Sequence, residues 1–160
     1  MKLSQFIKFD AIIPQLEAQT RDETIQEMVR SLAQAGCLAD DQVEEIAEKI
    51  IERENQGSTG IGKGIAVPHI KHGGVNEIVG TVGCSREGLD FSSLDKAPVY
   101  SVLLLVSPQG DPEGHLEAME SVFSHLQKDM FRKFLRQAET REAIEELLLE
   151  ADEAQQDSRI

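Results

Sequence analysis

Tryptophan is absent from the 160 residues, and one tyrosine with six phenylalanines makes up all the aromatic material. Platforms for stacking bases are therefore hard to build. Positive charge is scarce too: 16 Lys and Arg stand against 29 Asp and Glu, a formal net charge of −13. Affinity for a phosphate backbone comes from clustered Lys and Arg, so a nucleic-acid partner is excluded and a basic protein surface is the better match. The two cysteines, Cys37 and Cys84, lie outside any C-x-x-C spacing. That argues against a disulfide framework or a zinc ribbon and for reduced thiols acting as small hydrophobes. No apolar run approaches the roughly 20 residues of a transmembrane helix, the longest being around Val102 to Val106. The opening MKLSQFIKFDAIIPQL lacks the unbroken apolar stretch and cleavage site of a signal peptide. The expectation is a cytoplasmic protein with no direct membrane insertion.

What is present is the balance of an ordinary globular protein, 40% apolar and 28% charged, of a length that suits one domain over 1–160. Thr20-Arg21-Asp22-Glu23 reads as a capping box ahead of Ile25, Met28, Val29 and Leu32 at helical spacing, closed by Gly36. A second amphipathic helix is predicted from Asp40-Asp41 to about Glu54. Four glycines between Asn55 and Gly64 signal tight turns rather than a regular element. Ile65 to Val67, Ile78 to Cys84 and Val99 to Val106 read as strands, with a turn over Arg86 to Asp90. Asp111 before Pro112 starts a third long helix, Phe131, Phe134 and Leu135 mark a short one, and Thr140 caps a last helix ahead of a polar, frayed tail at 151–160. Two helices, then strands, then helices make a mixed α/β domain with helices covering a central sheet.

Histidine is the residue type to follow, because a neutral imidazole is an available nucleophile near pH 7. His69 follows a strand and a proline after the glycine-rich segment, which places it at a strand's carboxyl end where α/β domains build sites; a solvated loop histidine would look the same. His115 falls in the first turn of the third helix, where free N–H groups and the helix dipole favour an anion, although any helix-start histidine has that address. Arg53 either serves the last carbonyls of its own helix or reaches forward to phosphate oxygens. His69 and His72 form H-x-x-H, but further metal ligands are missing, so no metal is expected. The segment Gly57 to Gly64 breaks the P-loop pattern, since Gly64 follows Lys63 and the loop runs from helix to strand. No nucleotide or other cofactor is expected.

The run from Arg53-Glu54 through Gly57-Ser58-Thr59-Gly60-Ile61-Gly62 to Gly64-Ile65-Ala66-Val67-Pro68-His69 closely resembles the active-site signature of the fructose/mannitol/nitrogen-regulatory enzyme IIA domains of the phosphotransferase system. The likeness extends from the opening helices to Gly114-His115-Leu116 and the Thr140-initiated helix. It implies a three-layer α/β/α sandwich around a small mixed β-sheet. It also implies that His69 is phosphorylated by a phospho-HPr-type phosphocarrier protein, with His115 and Arg53 stabilising the phosphate. The phosphoryl group would then pass to an enzyme IIB cysteine or mark a regulatory state read by target proteins. The chain shows no second domain and no IIB-type cysteine motif, which leans toward the nitrogen-regulatory branch over the sugar-transport relay. A scaffold that works without phosphorylation is the blander reading. A basic donor surface would be met by acidic and apolar residues around the site.

Overall fold

A computed structural model describes residues 1–157. Helix α1 (Arg21–Gln34) starts where the Thr20 hydroxyl accepts the Glu23 N–H at 3.2 Å, and Gly36 leaves it with φ +81°, a conformation that costs glycine little. A 3₁₀ turn at Asp40–Gln42 leads into α2 (Val43–Gln56). Helix α3 (Pro112–Leu126) is capped by Asp111, whose Oδ1 accepts the Gly114 N–H at 3.0 Å. α4 (Asp129–Gln137) and α5 (Arg141–Asp157) follow, the latter capped by Thr140 Oγ1 on the Ala143 N–H.

The strands are β1 (Gly60–Gly62), β2 (Ile65–Ala66), β3 (His69–His72), β4 (Val79–Leu89) and β5 (Val99–Pro108). β5 is central: β4 pairs antiparallel along one edge, while β2 and β3 both pair parallel along the other. Ile65 lies opposite Ser101, Ala66 opposite Val102 and His69 opposite Leu105, so one register carries through from β2 to β3. Pro68, with no N–H to give, interrupts an otherwise continuous strand. β1 closes the sheet as a short antiparallel hairpin with β2.

Alternation on β5 divides the interior. Val102, Leu104 and Val106 pack with Ile25, Met28, Leu32, Ile46 and Ile50 of α1 and α2. Leu103 and Leu105 pack with Ala118, Val122, Leu135, Ile144 and Leu148 of α3 to α5. Period-two side chains thus build two hydrophobic layers on one sheet, and the expected three-layer α/β/α arrangement is present.

Three local expectations are corrected. The glycine-rich segment holds β1, because Gly60 and Gly62 can lie flat against Ser93 and Asp95, where a Cβ would sit only 2.3 and 3.1 Å from their side chains. The segment expected to turn at Arg86 to Asp90 stays in β4 through Leu89, with a register shift between Cys84 and Leu89 and Gly88 at φ +90°; a bulge absorbs what looked like a turn. The tail does not fray at 151. α5 continues to Asp157, Ala151 and Asp152 are buried, and Asp152 accepts the N–H groups of Leu3 at 2.6 Å and Ser4 at 3.1 Å. Residues 158–160 of that expectation lie outside the described residues. The carboxylate caps the 3₁₀ turn Leu3–Gln5 and ties the two ends of the chain together. Asp152→Ala should therefore cost about 1–3 kcal/mol, since it orphans two buried or half-buried donors, measurable as a lower midpoint in urea with little change in slope.

Candidate functional site

His69 opens β3 rather than lying beyond the end of a strand, because the Pro68 interruption, not a strand terminus, is what precedes it. Its odd-numbered position puts it on the α3 face, after Ile65 and Val67. The Pro68 carbonyl still accepts the Leu105 N–H at 3.0 Å. The Val67 carbonyl, pointing to the opposite edge, is left for the imidazole: His69 Nδ1 lies 2.6 Å from it. A carbonyl only accepts, so Nδ1 carries the hydrogen and Nε2 carries the lone pair.

His115 stands in the first turn of α3 with its ring centroid 5.6 Å from that of His69. Its Nδ1 is 2.7 Å from the hydroxyl of Ser107, a fully buried residue near the end of β5. Arg53, exposed in the last turn of α2, gives Nη1 to the Gly57 carbonyl at 3.0 Å. The two readings of Arg53 left open by sequence are thus compatible: one nitrogen serves its own helix end while the side chain borders the same hollow as both histidines. That hollow is an open depression of about 620 Å³ lined by Glu45, Lys49, Arg53, His69, Lys71, His72, Gln109 and His115 among others. The structure brings the three sequence candidates together.

Electrostatically the depression is the opposite of the molecule around it. Lys49, Arg53 and Lys71 line it together with one carboxylate, Glu45, in a chain of net charge −13. Against the expectation of acidic and apolar residues around the site, the immediate lining carries more basic than acidic side chains. Burial is the main cause that lowers the His69 pKa; the Val67 hydrogen bond and Glu54 act to raise it and Arg53 to lower it. His115 is lowered by burial first, then by His69 and Lys71. Both imidazoles are therefore biased toward the neutral form.

His72 also borders the hollow, but its ring is engaged on the α2 side, with Nε2 3.4 Å from Glu45 and Nδ1 accepting the Gly74 N–H at 2.8 Å. H-x-x-H on a strand puts its two rings on opposite faces, and among the described residues no group of three or more His, Cys, Asp or Glu could hold a metal. Cys84 is buried in β4, its thiol pushed up to about 11 by burial, which leaves it a packing residue. Sequence reasoning missed Ser107, Lys49, Lys71 and Gln109. Only Ser107 left a trace, as the single hydroxyl ending an apolar strand eight residues before His115.

Two neutral-biased imidazoles, one with a free Nε2, beside three fixed cations in an open hollow define a class: a histidine site suited to accepting an anionic group from a large partner. Comparison with known proteins gives the family. Residues 5–151 match the family described as phosphoenolpyruvate-dependent sugar phosphotransferase system, EIIA 2, and the chain belongs to that family. It is 36% identical over 152 residues to the fructose-specific EIIABC component of Bacillus subtilis, covering 95% of this chain but only 24% of that protein. It is 30% identical to a nitrogen regulatory protein of Bradyrhizobium diazoefficiens, covering 92% of this chain and 95% of the other. The crystal structure of nitrogen regulatory protein IIA-Ntr from Neisseria meningitidis superposes with a TM-score of 0.82 at 25% identity, over 91% of this chain and 98% of that one. Among the described residues no helix is long and apolar enough to cross a membrane.

Proposed function

We propose that the chain, folded as one IIA domain, is a cytoplasmic phosphoryl carrier whose His69 takes a phosphoryl group from a phospho-HPr-type phosphocarrier protein. The observation that carries this reading is the anchored His69 ring, Nδ1 on the Val67 carbonyl and Nε2 free. In the transfer, the Nε2 lone pair of His69 forms the new N–P bond as the N–P bond of the donor's phosphohistidine, its ring protonated at the other nitrogen, breaks. The donor leaves as neutral imidazole and the His69 ring, keeping its Nδ1–H on the Val67 carbonyl, takes up the positive charge. Little covalent work is asked of the protein beyond alignment and charge stabilisation. Arg53, Lys71 and the Nε2–H of His115 would meet the three phosphoryl oxygens. The Ser107 hydroxyl can donate to Nδ1 of a neutral His115 or accept from a protonated one, so His115 can gain a proton beside the new dianion without losing its anchor.

The phosphorylated form then serves as a regulatory state that selects target proteins, a branch supported by the match to a nitrogen regulatory protein over 95% of that protein's length. The 36% identity to a fructose-specific component favours a second reading, in which the group passes to a cysteine of an enzyme IIB.

Incubation with enzyme I, HPr and phosphoenolpyruvate should add one phosphate by intact mass, mapped to His69, lost in mild acid and kept in mild base. An acid-stable label would move the assignment to a hydroxyl, with Ser58 and Thr59 nearest. Transfer between purified proteins should survive a chelator, because fixed cations line the hollow; loss on chelation would revive a metal reading. Presenting candidate IIB domains to the labelled protein separates the two branches.

The pH profile follows from the imidazole. Because the His69 pKa lies below the ordinary 6.5, the neutral nucleophile persists into more acidic solution, and the acid limb of the acceptance rate should fall below pH 6.5. A limb at or above 6.5 would contradict the burial of the ring. The measurement is the transfer rate from phospho-HPr across pH.

A further inference from the structure

Glu54 is the next residue after Arg53, yet it goes the opposite way. Arg53 is exposed at the depression, while Glu54 is 3% exposed. Its Oε2 accepts the Thr59 N–H at 3.1 Å and its Oε1 accepts the Thr59 hydroxyl. The Thr59 carbonyl in turn accepts the Val67 N–H at 3.2 Å, and the Val67 carbonyl holds Nδ1 of His69 at 2.6 Å. Three successive links lead from a buried carboxylate to the ring.

We propose that Glu54 is a positioning residue for His69: its carboxylate fixes Thr59 and, through it, Val67, so that the Val67 carbonyl holds the Nδ1–H and Nε2 is presented to the incoming group. The inference rests on the reading of His69 as the phosphoryl acceptor. A loop of this kind can be capped by a neutral hydroxyl or amide, and sequestering a charge costs more than either. Two features need the charge. Hydrogen bonds to a charged acceptor are about twice as strong as neutral ones, which stiffens the first link. The negative charge also opposes that of Arg53 at the imidazole, since Arg53 lowers and Glu54 raises the His69 pKa. The other groups near the ring are His115 on α3 and Lys71 on β3. Arg53 can thus serve an arriving phosphate without stripping the nucleophile of its basicity.

The test is ¹⁵N NMR of the histidines in the unphosphorylated full chain, with transfer rates in parallel, for the parent, Glu54→Ala, Glu54→Gln and Thr59→Val. The parent should show His69 protonated at Nδ1 and bare at Nε2. Glu54→Ala should mix the two tautomers at His69, leave His115 unchanged, and slow transfer about 10²-fold, the scale of a misplaced reacting group. Glu54→Gln keeps an acceptor for Thr59, so the tautomer should hold while the His69 titration moves to lower pH. If Glu54→Ala fails to fold, Thr59→Val, which removes only the hydroxyl link, should still show partial mixing and a slower rate. An unchanged His69 tautomer and titration in Glu54→Gln together with either of the other variants overturns the proposal. A parent protein that shows the expected tautomer but is labelled elsewhere sinks the acceptor reading and leaves the positioning chain standing.

Discussion

Replacing His69 with alanine should abolish acceptance of phosphate from phospho-HPr, leaving no stoichiometric label by intact mass. No neighbour can substitute. His115 is 5.6 Å away between ring centroids, but its Nδ1 partner is a hydroxyl that donates or accepts, so nothing commits its Nε2 to carry the lone pair. His72 has both ring nitrogens engaged, Nε2 beside Glu45 and Nδ1 accepting the Gly74 N–H. The fold should survive, because His69 is only half-buried and its ring is anchored on a carbonyl just two residues away. An unchanged far-ultraviolet spectrum and thermal midpoint would show that the lost label is a chemical loss. Stoichiometric labelling of the alanine variant would remove His69 from the role.

The second large effect is expected at the residues that meet the charge. Arg53→Ala and His115→Ala should each slow single-turnover transfer by about 10²- to 10³-fold, the range for losing one preorganised donor at a developing anion, while the label still maps to His69. The two losses should differ in kind. Removing Arg53 also relieves a cation that depresses the His69 pKa, so its acid limb should move up, whereas His115→Ala leaves that cation in place. Rates equal to the parent in both variants would exclude them from the site. Ser107→Ala should lie between parent and His115→Ala, since it frees the ring without deleting it.

Much of this was legible in the chain beforehand. Thr20, Asp111 and Thr140 announce helix starts through local capping chemistry, and Val99 to Val106 announces a buried strand through its unbroken apolar run. The Arg53 to His69 run carries a resemblance long enough to bring three distant residues into one expectation. What escaped depends on contacts between segments far apart. Asp152 looks like tail polarity until Leu3 and Ser4, at the other end of the chain, are seen to need an acceptor. The Arg86 to Asp90 stretch has turn-like composition, yet pairing of Leu89 with Val99 holds it in the sheet. Lys49 is an ordinary surface lysine in sequence, and only the packing of α2 over β3 brings it to the His69 hollow, whereas Lys71 becomes a neighbour once His69 is seen to open a strand and the two share a face.

The shared register on β5 has a consequence for how this protein can change over time. Single substitutions along Val99 to Pro108 alter the packing in one layer and leave the other intact. Deleting or inserting one residue there would be a different event. It would exchange the residues facing α1 and α2 with those facing α3 to α5, and it would slide β2, β3 and β4 against their partners at the same time. His69, placed by its pairing with Leu105, would lose alignment with His115, placed by the chain that leaves Ser107. The central strand is therefore open to changes of spelling and closed to changes of length, and insertions that the fold can absorb belong outside its paired residues.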